Sequence, residues 1–271
     1  MTDAGEPGAS PASAGVAEAP SGQPGAPAAS ARTPGEPLLE VDAIDVFYDD
    51  VQVLYGLGFE VQRGEIVTLL GSNGAGKTTT LRAIMGLRPP RGGQIRFGGR
   101  SLAGVPAAAR AELGIALVPE GRELWPQLSV LENLELGAYT QRARKNVAAN
   151  LARMFAMFPR LDERRRQLAG SLSGGEQQMC AIARALMSEP TLLMVDELSL
   201  GLAPVLVDQL MHTVAELHDR GMTILLVEQN LKKALAVAQR GVIIETGRVR
   251  LTGTSAELAD NPEIRAAYLG M

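Results

Sequence analysis

One glycine-rich segment, residues 71–78 with the sequence GSNGAGKT, constrains the fold of this chain more than any other. It follows the largely apolar run Glu65–Leu70 and overlaps the start of the segment Lys77–Met85, which predicts a buried strand, a tight loop and a helix. Glycines let such a loop turn several N–H groups towards one anion, and the helix N-terminus adds further donors. The pattern G-x-x-x-x-G-K-[ST] therefore predicts a phosphate-binding loop. The alternative interpretation is a simple glycine turn between a strand and a helix.

The phosphate-loop interpretation assigns roles to individual residues. Lys77 is expected to reach the outer phosphates of a nucleotide, and Thr78 is expected to bind Mg²⁺. The candidate phosphate-binding residues are Gly71, Ser72, Asn73, Gly74, Ala75, Gly76, Lys77, Thr78 and Thr79.

A second apolar run, Leu192–Val195, is followed directly by two acidic residues, Asp196 and Glu197. Strand ends line the ligand crevice in parallel sheets, so these carboxylates are candidates for catalysis. Asp196 is expected to hold Mg²⁺ through water, and Glu197 to orient and deprotonate the attacking water. Two acids can also merely end a strand, but a phosphate loop in the same chain favours the catalytic interpretation.

Strand and helix patterns alternate along most of the chain, which predicts an α/β fold with a mainly parallel sheet and helices on both faces. Residues 127–170 interrupt this alternation as a predicted helical insert. Residues 1–37 are mostly Ala, Gly, Pro and Ser, and they are expected to form a disordered tail rather than a signal peptide. The predicted domain therefore spans residues 38–271.

Composition excludes several functions. The net charge of −4 argues against nucleic acid as a partner. The single cysteine, Cys180, excludes an internal disulfide and is expected to pack rather than react. No apolar run approaches the roughly 18–20 residues that a membrane helix needs, so any connection to a membrane is expected to go through a partner.

Residues 172–177, with the sequence LSGGEQ, carry a family resemblance. They resemble the signature motif of ABC ATPases, and the resemblance covers the chain from about Leu38 to its end. It implies a P-loop NTPase fold, the ABC ATPase cassette, with an N-terminal antiparallel β subdomain, the helical insert and the cofactors ATP and Mg²⁺. It also implies that two such subunits pair head to tail, and that Ser173, Gly174, Gly175 and Glu176 close over the ATP of the partner.

Tyr48 matches the aromatic position that stacks on adenine in this family; the alternative is an ordinary residue at a strand end. Three further positions depart from the general family pattern. Glu120 replaces a glutamine, Gln229 replaces a histidine, and residues 199–204 replace a loop that contains aspartate. Together they resemble the smaller ATP-binding subunit of branched-chain amino acid transporters, the LivF type.

The resemblance implies roles for these substitutions. Glu120 is expected to bind Mg²⁺ as a carboxylate, and Gln229 to donate its amide to a phosphate oxygen. Hydrolysis is therefore expected to survive. Leu198 departs even from the LivF pattern, which has proline, and is expected to loosen the turn after Glu197.

The same resemblance implies partners and a location. It indicates an importer with two membrane permease subunits, a second ATP-binding subunit that is a different chain, and a periplasmic-type binding protein reached indirectly. The chain would lie peripherally on the cytoplasmic face of the plasma membrane. Trp125 is expected near the groove that receives a helix of the membrane subunit, or else to pack the helical insert. The Arg164–Arg166 cluster is expected to be a solvated face.

Other functions remain open at this stage. The cargo could instead be urea, a short amide or another amino acid, because an ATP-binding subunit does not touch the cargo. A soluble ABC ATPase acting on ribosomes or DNA is disfavoured by the single cassette, the short insert and the acidic charge. An inactive or regulatory paralogue is a further alternative.

Overall fold

The computed structural model describes residues 37–266, so the predicted tail, except for Pro37, lies outside the described residues. The strands are β1 (Pro37–Tyr48), β2 (Val51–Gln62), β3 (Ile66–Leu70), β4 (Gly92–Phe97), β5 (Arg100–Ser101), β6 (Ile115–Val118), β7 (Leu192–Asp196), β8 (Thr223–Glu228), β9 (Arg240–Glu245) and β10 (Arg248–Thr254). The α-helices are α1 (Lys77–Met85), α2 (Ala107–Leu113), α3 (Val130–Gly137), α4 (Gln141–Arg144), α5 (Val147–Met157), α6 (Pro159–Glu163), α7 (Gly174–Leu186), α8 (Pro204–Asp219), α9 (Leu231–Val237), α10 (Ser255–Asp260) and α11 (Pro262–Ile264).

The strands form two sheets. A six-stranded sheet has the order β10-β9-β3-β8-β7-β6, and its pairs are parallel except for β10 with β9. A four-stranded antiparallel sheet has the order β2-β1-β4-β5. This arrangement confirms the predicted α/β fold with a mainly parallel sheet and an antiparallel β subdomain.

The central strands of the six-stranded sheet separate two apolar cores. All residues of β3, β7 and β8 are buried, and for β3 this agrees with the predicted buried strand. In β3, Ile66 and Leu70 pack into the core shared with helices such as α7 and α8, whereas Val67 and Leu69 pack into the core shared with α1 and the antiparallel sheet. Successive side chains of a strand point to opposite faces, so this alternation places packed elements on both faces of the sheet.

The region 127–170 contains four α-helices, α3 to α6. Helix α3 begins with a capping box in which Ser129 and Glu132 satisfy each other's free donors, as the sequence pattern predicts. Pro159 follows the end of α5 and is also the first residue of α6, a position where its missing N–H costs nothing. Among residues 37–266, no helix is both long and apolar enough to cross a bilayer.

Candidate functional site

Four neighbouring strands of the parallel sheet bring the predicted phosphate and hydrolysis residues to one edge. Strand β3 pairs with β8, β8 with β7 and β7 with β6, and all four run parallel. Parallel strands end on the same side of a sheet, so the loops that follow them lie side by side. The phosphate loop follows β3, and Gln229 follows β8. Glu197 follows β7, and Glu120 lies in the loop after β6.

The backbone of the phosphate loop adopts conformations that its glycines permit. Gly74 and Gly76 have φ values of 80° and 109°, and a Cβ on Gly76 would lie 2.5 Å from the Leu54 side chain. Helix α1 begins at the next residue, Lys77, so its free N–H groups face the loop. Ala75 is buried, and its carbonyl accepts a hydrogen bond from Gly247 N at 2.9 Å, which ties the loop to the start of β10.

Lys77 is almost fully buried, and its ammonium group donates hydrogen bonds to its own loop. Its Nζ donates to the carbonyl oxygens of Gly71 at 3.0 Å and Ser72 at 3.1 Å. The same ammonium lies 3.3 Å from Glu197 Oε1, and the two side chains are 4% and 9% exposed. The positive charge expected to meet phosphates is therefore paired with the carboxylate expected to act as the base.

A cavity of about 380 Å³ lies at this edge of the sheet. It is lined by Tyr48, Val53, Asn73, Gly74, Gly76, Lys77, Thr78, Thr79, Glu120, Glu197, Leu200 and Gln229. The structure thus brings together residues that were predicted separately for base stacking, phosphate binding and hydrolysis.

Glu197 links the phosphate loop to Gln229. Its Oε2 accepts a hydrogen bond of 2.8 Å from Gln229 Nε2, and the same amide nitrogen donates to Asn73 Oδ1. Glu197 has a φ of 49°, in the left-handed region that few residues other than glycine adopt. Its backbone N–H donates to Val227 O at 2.9 Å, which holds this turn against β8.

Asp196 has the environment expected of a metal-binding carboxylate. Its Oδ1 is buried and has no hydrogen-bond partner within residues 37–266. Burial raises the pKa of Asp196 to about 6, with Glu197 and Glu120 adding to the rise and a hydrogen bond from Thr78 opposing it. Burying a polar oxygen without a hydrogen-bond partner costs free energy, so a cation bound to this oxygen would stabilise the site.

Thr78, Asp196 and Glu120 offer only oxygen ligands, which suit Mg²⁺. Within residues 37–266, no group of three or more His, Cys, Asp or Glu side chains is arranged to hold a metal by itself. Mg²⁺ usually combines one or two carboxylates with substrate phosphates and water, so this donor set fits a metal that binds together with a nucleotide.

Tyr48 is the last residue of β1, and two arginine side chains contact it. The Arg88 guanidinium lies 4.4 Å from the centre of the Tyr48 ring, and Arg82 donates to the Tyr48 hydroxyl at 3.2 Å. Burial opposes ionisation of Tyr48, but the hydrogen bond from Arg82 and the nearby positive charges lower its pKa below the usual value. Tyr48 lines the cavity and Arg88 does not, so the ring face opposite Arg88 is the candidate surface for stacking on a base.

The signature residues form the first turn of α7. Ser173 is the N-cap: its hydroxyl and backbone N–H both donate to Glu176 Oε2, at 2.7 and 2.9 Å. Arg164 lies 2.7 Å from Glu176 Oε1. Among the described residues that line the phosphate-loop cavity, none comes from this turn.

Residues 54–199 match the family model described as ABC transporter. The chain belongs to the ABC transporter family. It is an ATP-binding cassette of that family and an ATPase, in agreement with the resemblance drawn from its phosphate loop and signature.

Individual relatives agree with this assignment. The high-affinity branched-chain amino acid transport ATP-binding protein BraG of Pseudomonas aeruginosa is 44% identical over 233 residues, which are 86% of this chain and 100% of that protein. A probable branched-chain amino acid transport ATP-binding protein LivF of Archaeoglobus fulgidus is 32% identical over 86% of this chain and 99% of its own length. A solved ATP-binding subunit of an ABC transporter superposes with a TM-score of 0.72 at 34% identity, covering 86% of this chain and 96% of its own.

Leu198 of this ABC cassette is fully buried in the apolar core. The expected loosening of the turn after Glu197 stays a prediction, because it concerns the backbone that a proline would restrict. One other expectation is corrected by the structure. Arg164 is not part of a merely solvated face, because it pairs with Glu176 of the signature. Cys180, by contrast, is buried as predicted, and burial raises the pKa of its thiol to about 12.

Sequence reasoning missed two residues that support the site of the cassette. Glu228 is fully buried and accepts hydrogen bonds from the backbone N–H of Ser199 at 3.0 Å and from its hydroxyl at 2.7 Å. Burial raises the pKa of Glu228, partly offset by these bonds. Arg122 contacts the signature helix through Gln177 and Gln178. An acidic residue at the end of a fully apolar strand was the available signal for Glu228; no local signal marked the partners of Arg122.

Proposed function

We propose that the chain is the ATP-hydrolysing subunit of a membrane importer for branched-chain amino acids. The observation that carries the proposal is the Lys77–Glu197–Gln229 contact set at the phosphate loop, in a chain 44% identical to BraG over the whole of that protein. The contact set supports hydrolysis of a nucleotide, and the named relatives support the class of cargo.

In this proposal ATP is the substrate, and it occupies the cavity of about 380 Å³. The face of the Tyr48 ring opposite Arg88 stacks on adenine, an interaction worth roughly 1–3 kcal/mol by analogy with other base–aromatic stacks. Backbone N–H groups of the phosphate loop and the N-terminus of α1 donate to the phosphates. Lys77 exchanges its contact with Glu197 for the outer phosphates, and this exchange releases the carboxylate for catalysis.

Mg²⁺ would be held by Thr78 and Asp196, with Glu120 as a further ligand. Bound there, the cation would neutralise charge on the phosphates. The unpartnered Asp196 Oδ1 and its raised pKa support this assignment, because a neighbouring cation favours the ionised carboxylate.

Glu197 then acts as the general base. It orients a water molecule and accepts its proton as the water oxygen attacks the γ-phosphorus. The bond from that phosphorus to the β–γ bridging oxygen breaks, giving ADP and inorganic phosphate. Gln229 holds Glu197 through the 2.8 Å bond and, in place of its bond to Asn73, donates to a phosphate oxygen, without carrying the proton charge that a histidine could carry.

The signature turn is proposed to act on the ATP of a second ATP-binding subunit. Ser173 donates its hydroxyl to Glu176 in the single chain, so binding a phosphate requires this hydroxyl to turn away from the carboxylate. The amides of Gly174 and Gly175 lie in the first turn of α7, where N–H groups are free to meet an anion. The second subunit is proposed to be a different chain of the same family.

A second cavity, of about 460 Å³, is the proposed contact for the membrane permease subunits. Four apolar side chains that line it are between 46% and 59% exposed: Leu87, Trp125, Leu136 and Tyr139. Glu120 also lines this groove, so an occupant would lie next to the nucleotide site. Two permeases would place the chain peripherally at the cytoplasmic face of the membrane, and they would connect it indirectly to a periplasmic-type binding protein.

Reconstitution with candidate permeases and a binding protein in vesicles tests the proposed function. Wild-type protein with Mg-ATP inside the vesicles should drive uptake of labelled leucine, isoleucine or valine, and Lys77→Ala should abolish both nucleotide binding and uptake. Uptake of urea, a short amide or another amino acid instead would change the assigned cargo but keep the role of the chain as an importer ATPase. Nucleotide binding that survives Lys77→Ala would overturn the assignment of the site.

The groove has its own test. Trp125→Ala should leave nucleotide affinity and melting temperature near those of the wild type while uptake is lost. A variant that unfolds would instead assign Trp125 to packing of the helical region.

A further inference from the structure

The loop between β6 and α3 has a backbone that needs external support. Gly121, Arg122 and Glu123 have φ values of 80°, 71° and 46°, so three consecutive residues lie in the left-handed region. Two of them carry side chains, which rarely adopt this conformation, and such residues persist only where surrounding contacts hold them. Glu120, the proposed Mg²⁺ ligand, immediately precedes these residues.

The support comes from helix α7. Arg122 donates from its NH1 group to Gln177 Oε1 at 2.9 Å and from Nε to Gln178 Oε1 at 3.2 Å. Arg184 donates back from α7 to the carbonyl oxygens of Arg122 at 3.0 Å and Glu123 at 2.6 Å. Four hydrogen bonds therefore connect this loop to a single helix.

The contacts of Arg122 lie close to the signature turn. A Cβ built on Gly174 would lie 3.3 Å from Arg122 Nη2, so the guanidinium packs against the first turn of α7. Gln177 also donates through its backbone N–H to Ser173 O at 2.9 Å. The Arg122 side chain thus touches the helix turn that begins at Ser173, while its backbone continues into Glu120 at the nucleotide cavity.

We infer that Arg122 is a positioning residue that couples the Glu120 loop at one nucleotide site to the orientation of the Ser173–Glu176 turn. The inference rests on the proposed function, in which that turn meets the ATP of a second subunit. A guanidinium suits this role because it is planar, permanently charged and able to bind two acceptors in a fixed geometry. A change at Glu120 on nucleotide binding would reach the signature through two side-chain hydrogen bonds, without passing through the apolar core.

The test compares Arg122→Ala, Arg122→Lys, Gln177→Ala and the double variant Arg122→Ala/Gln177→Ala in the purified full chain, alone and with its co-purifying partner subunits. Arg144→Ala, on the exposed surface of α4, is the matched control. Fluorescent-nucleotide titration gives the affinity of the single chain, phosphate release gives kcat and KM, and thermal denaturation reports folding.

Arg122→Ala should lower kcat at least tenfold while nucleotide affinity and KM change less than twofold. Arg122→Lys should restore part of kcat, because one ammonium can replace one of the two hydrogen bonds. The double variant should lose less than the product of the two single losses, since both changes break the Arg122–Gln177 bond, while Gln177→Ala also removes the 3.3 Å bond from Gln177 to Ala169 O. A multiplicative loss in the double variant, a normal kcat in Arg122→Ala, or a parallel loss of affinity and kcat would overturn the inference.

Two outcomes separate this inference from the proposed function. If Lys77→Ala hydrolyses ATP normally, the proposed nucleotide site is wrong. If Lys77→Ala is inactive but Arg122→Ala and Gln177→Ala hydrolyse ATP at the wild-type rate, only the coupling role of Arg122 is wrong. Gln177→Ala keeps the test decisive even if Arg122→Ala does not fold.

Discussion

Replacing Glu197 with glutamine should separate nucleotide binding from hydrolysis. The side chain keeps its size, so its amide can still contact Gln229, but it no longer accepts a proton from water. General base catalysis contributes about 10²–10⁴-fold in rate. At 1.36 kcal/mol per factor of ten, the expected rise in the barrier is about 2.7–5.4 kcal/mol.

The same substitution should leave nucleotide affinity unchanged or make it tighter. Lys77 loses its contact with Glu197 at 3.3 Å, but it keeps the carbonyl oxygens of Gly71 and Ser72. In the wild type, phosphates must compete with that carboxylate for the ammonium. Removing this competing ion pair should therefore leave nucleotide binding as tight as in the wild type or make it tighter.

Single-turnover hydrolysis of Mg-ATP, with protein in excess, measures the chemical step, and fluorescent-nucleotide titration measures affinity. Glu135→Gln, on the exposed surface of α3, is a matched control that makes the same chemical change outside the site. A Glu197→Gln rate within threefold of the wild type would refute the role of Glu197 as base. A loss of affinity as large as the loss of rate would refute the claim that Glu197 competes with phosphate.

Three further predictions follow from other parts of the structure. Gly137→Ala should destabilise the fold by about 1–3 kcal/mol, or roughly 2–10 °C in melting temperature, because its Cβ would overlap the Arg184 carbonyl oxygen; thermal denaturation measures this. The buried Cys180 thiol, with its pKa raised to about 12, should resist thiol reagents at pH 8 in native protein and react after denaturation, and mass spectrometry counts the adducts. Gln229→His should make hydrolysis depend more steeply on pH between 6 and 8 than in the wild type, since an ordinary histidine titrates there; identical pH profiles would contradict this.

Local sequence patterns were sufficient to predict most of the strands and helices of the fold. The largely apolar sequences of β3, β7 and β8 predicted strands, with burial on both faces predicted for β3, and the structure buries every residue in all three. Strand β10 was missed because its residues alternate between exposed and half-buried, so no fully buried face marked it. Helix α2 was missed as well: it has seven residues, too few for a clear helical period.

The candidate site also contains parts that local sequence patterns reveal and parts that they do not. The phosphate loop and the Asp196–Glu197 pair are recognisable because each is a short segment whose chemistry depends on adjacent residues. The contacts that hold them join distant positions: Glu228 to Ser199 across 29 residues, and Arg122 to Gln177 across 55. A residue whose role depends on such a partner has no local pattern to reveal it.

The sequence by itself determined most of the strands and helices, the phosphate loop and the signature turn, because backbone conformation, burial period and helix capping are set by neighbouring residues. Only the tertiary structure decided that Lys77 pairs with Glu197, that Leu198 is buried and that Arg122 connects the Glu120 loop to α7. These contacts depend on which strands become neighbours in the sheet, and that choice is made by packing of the whole chain around its two apolar cores.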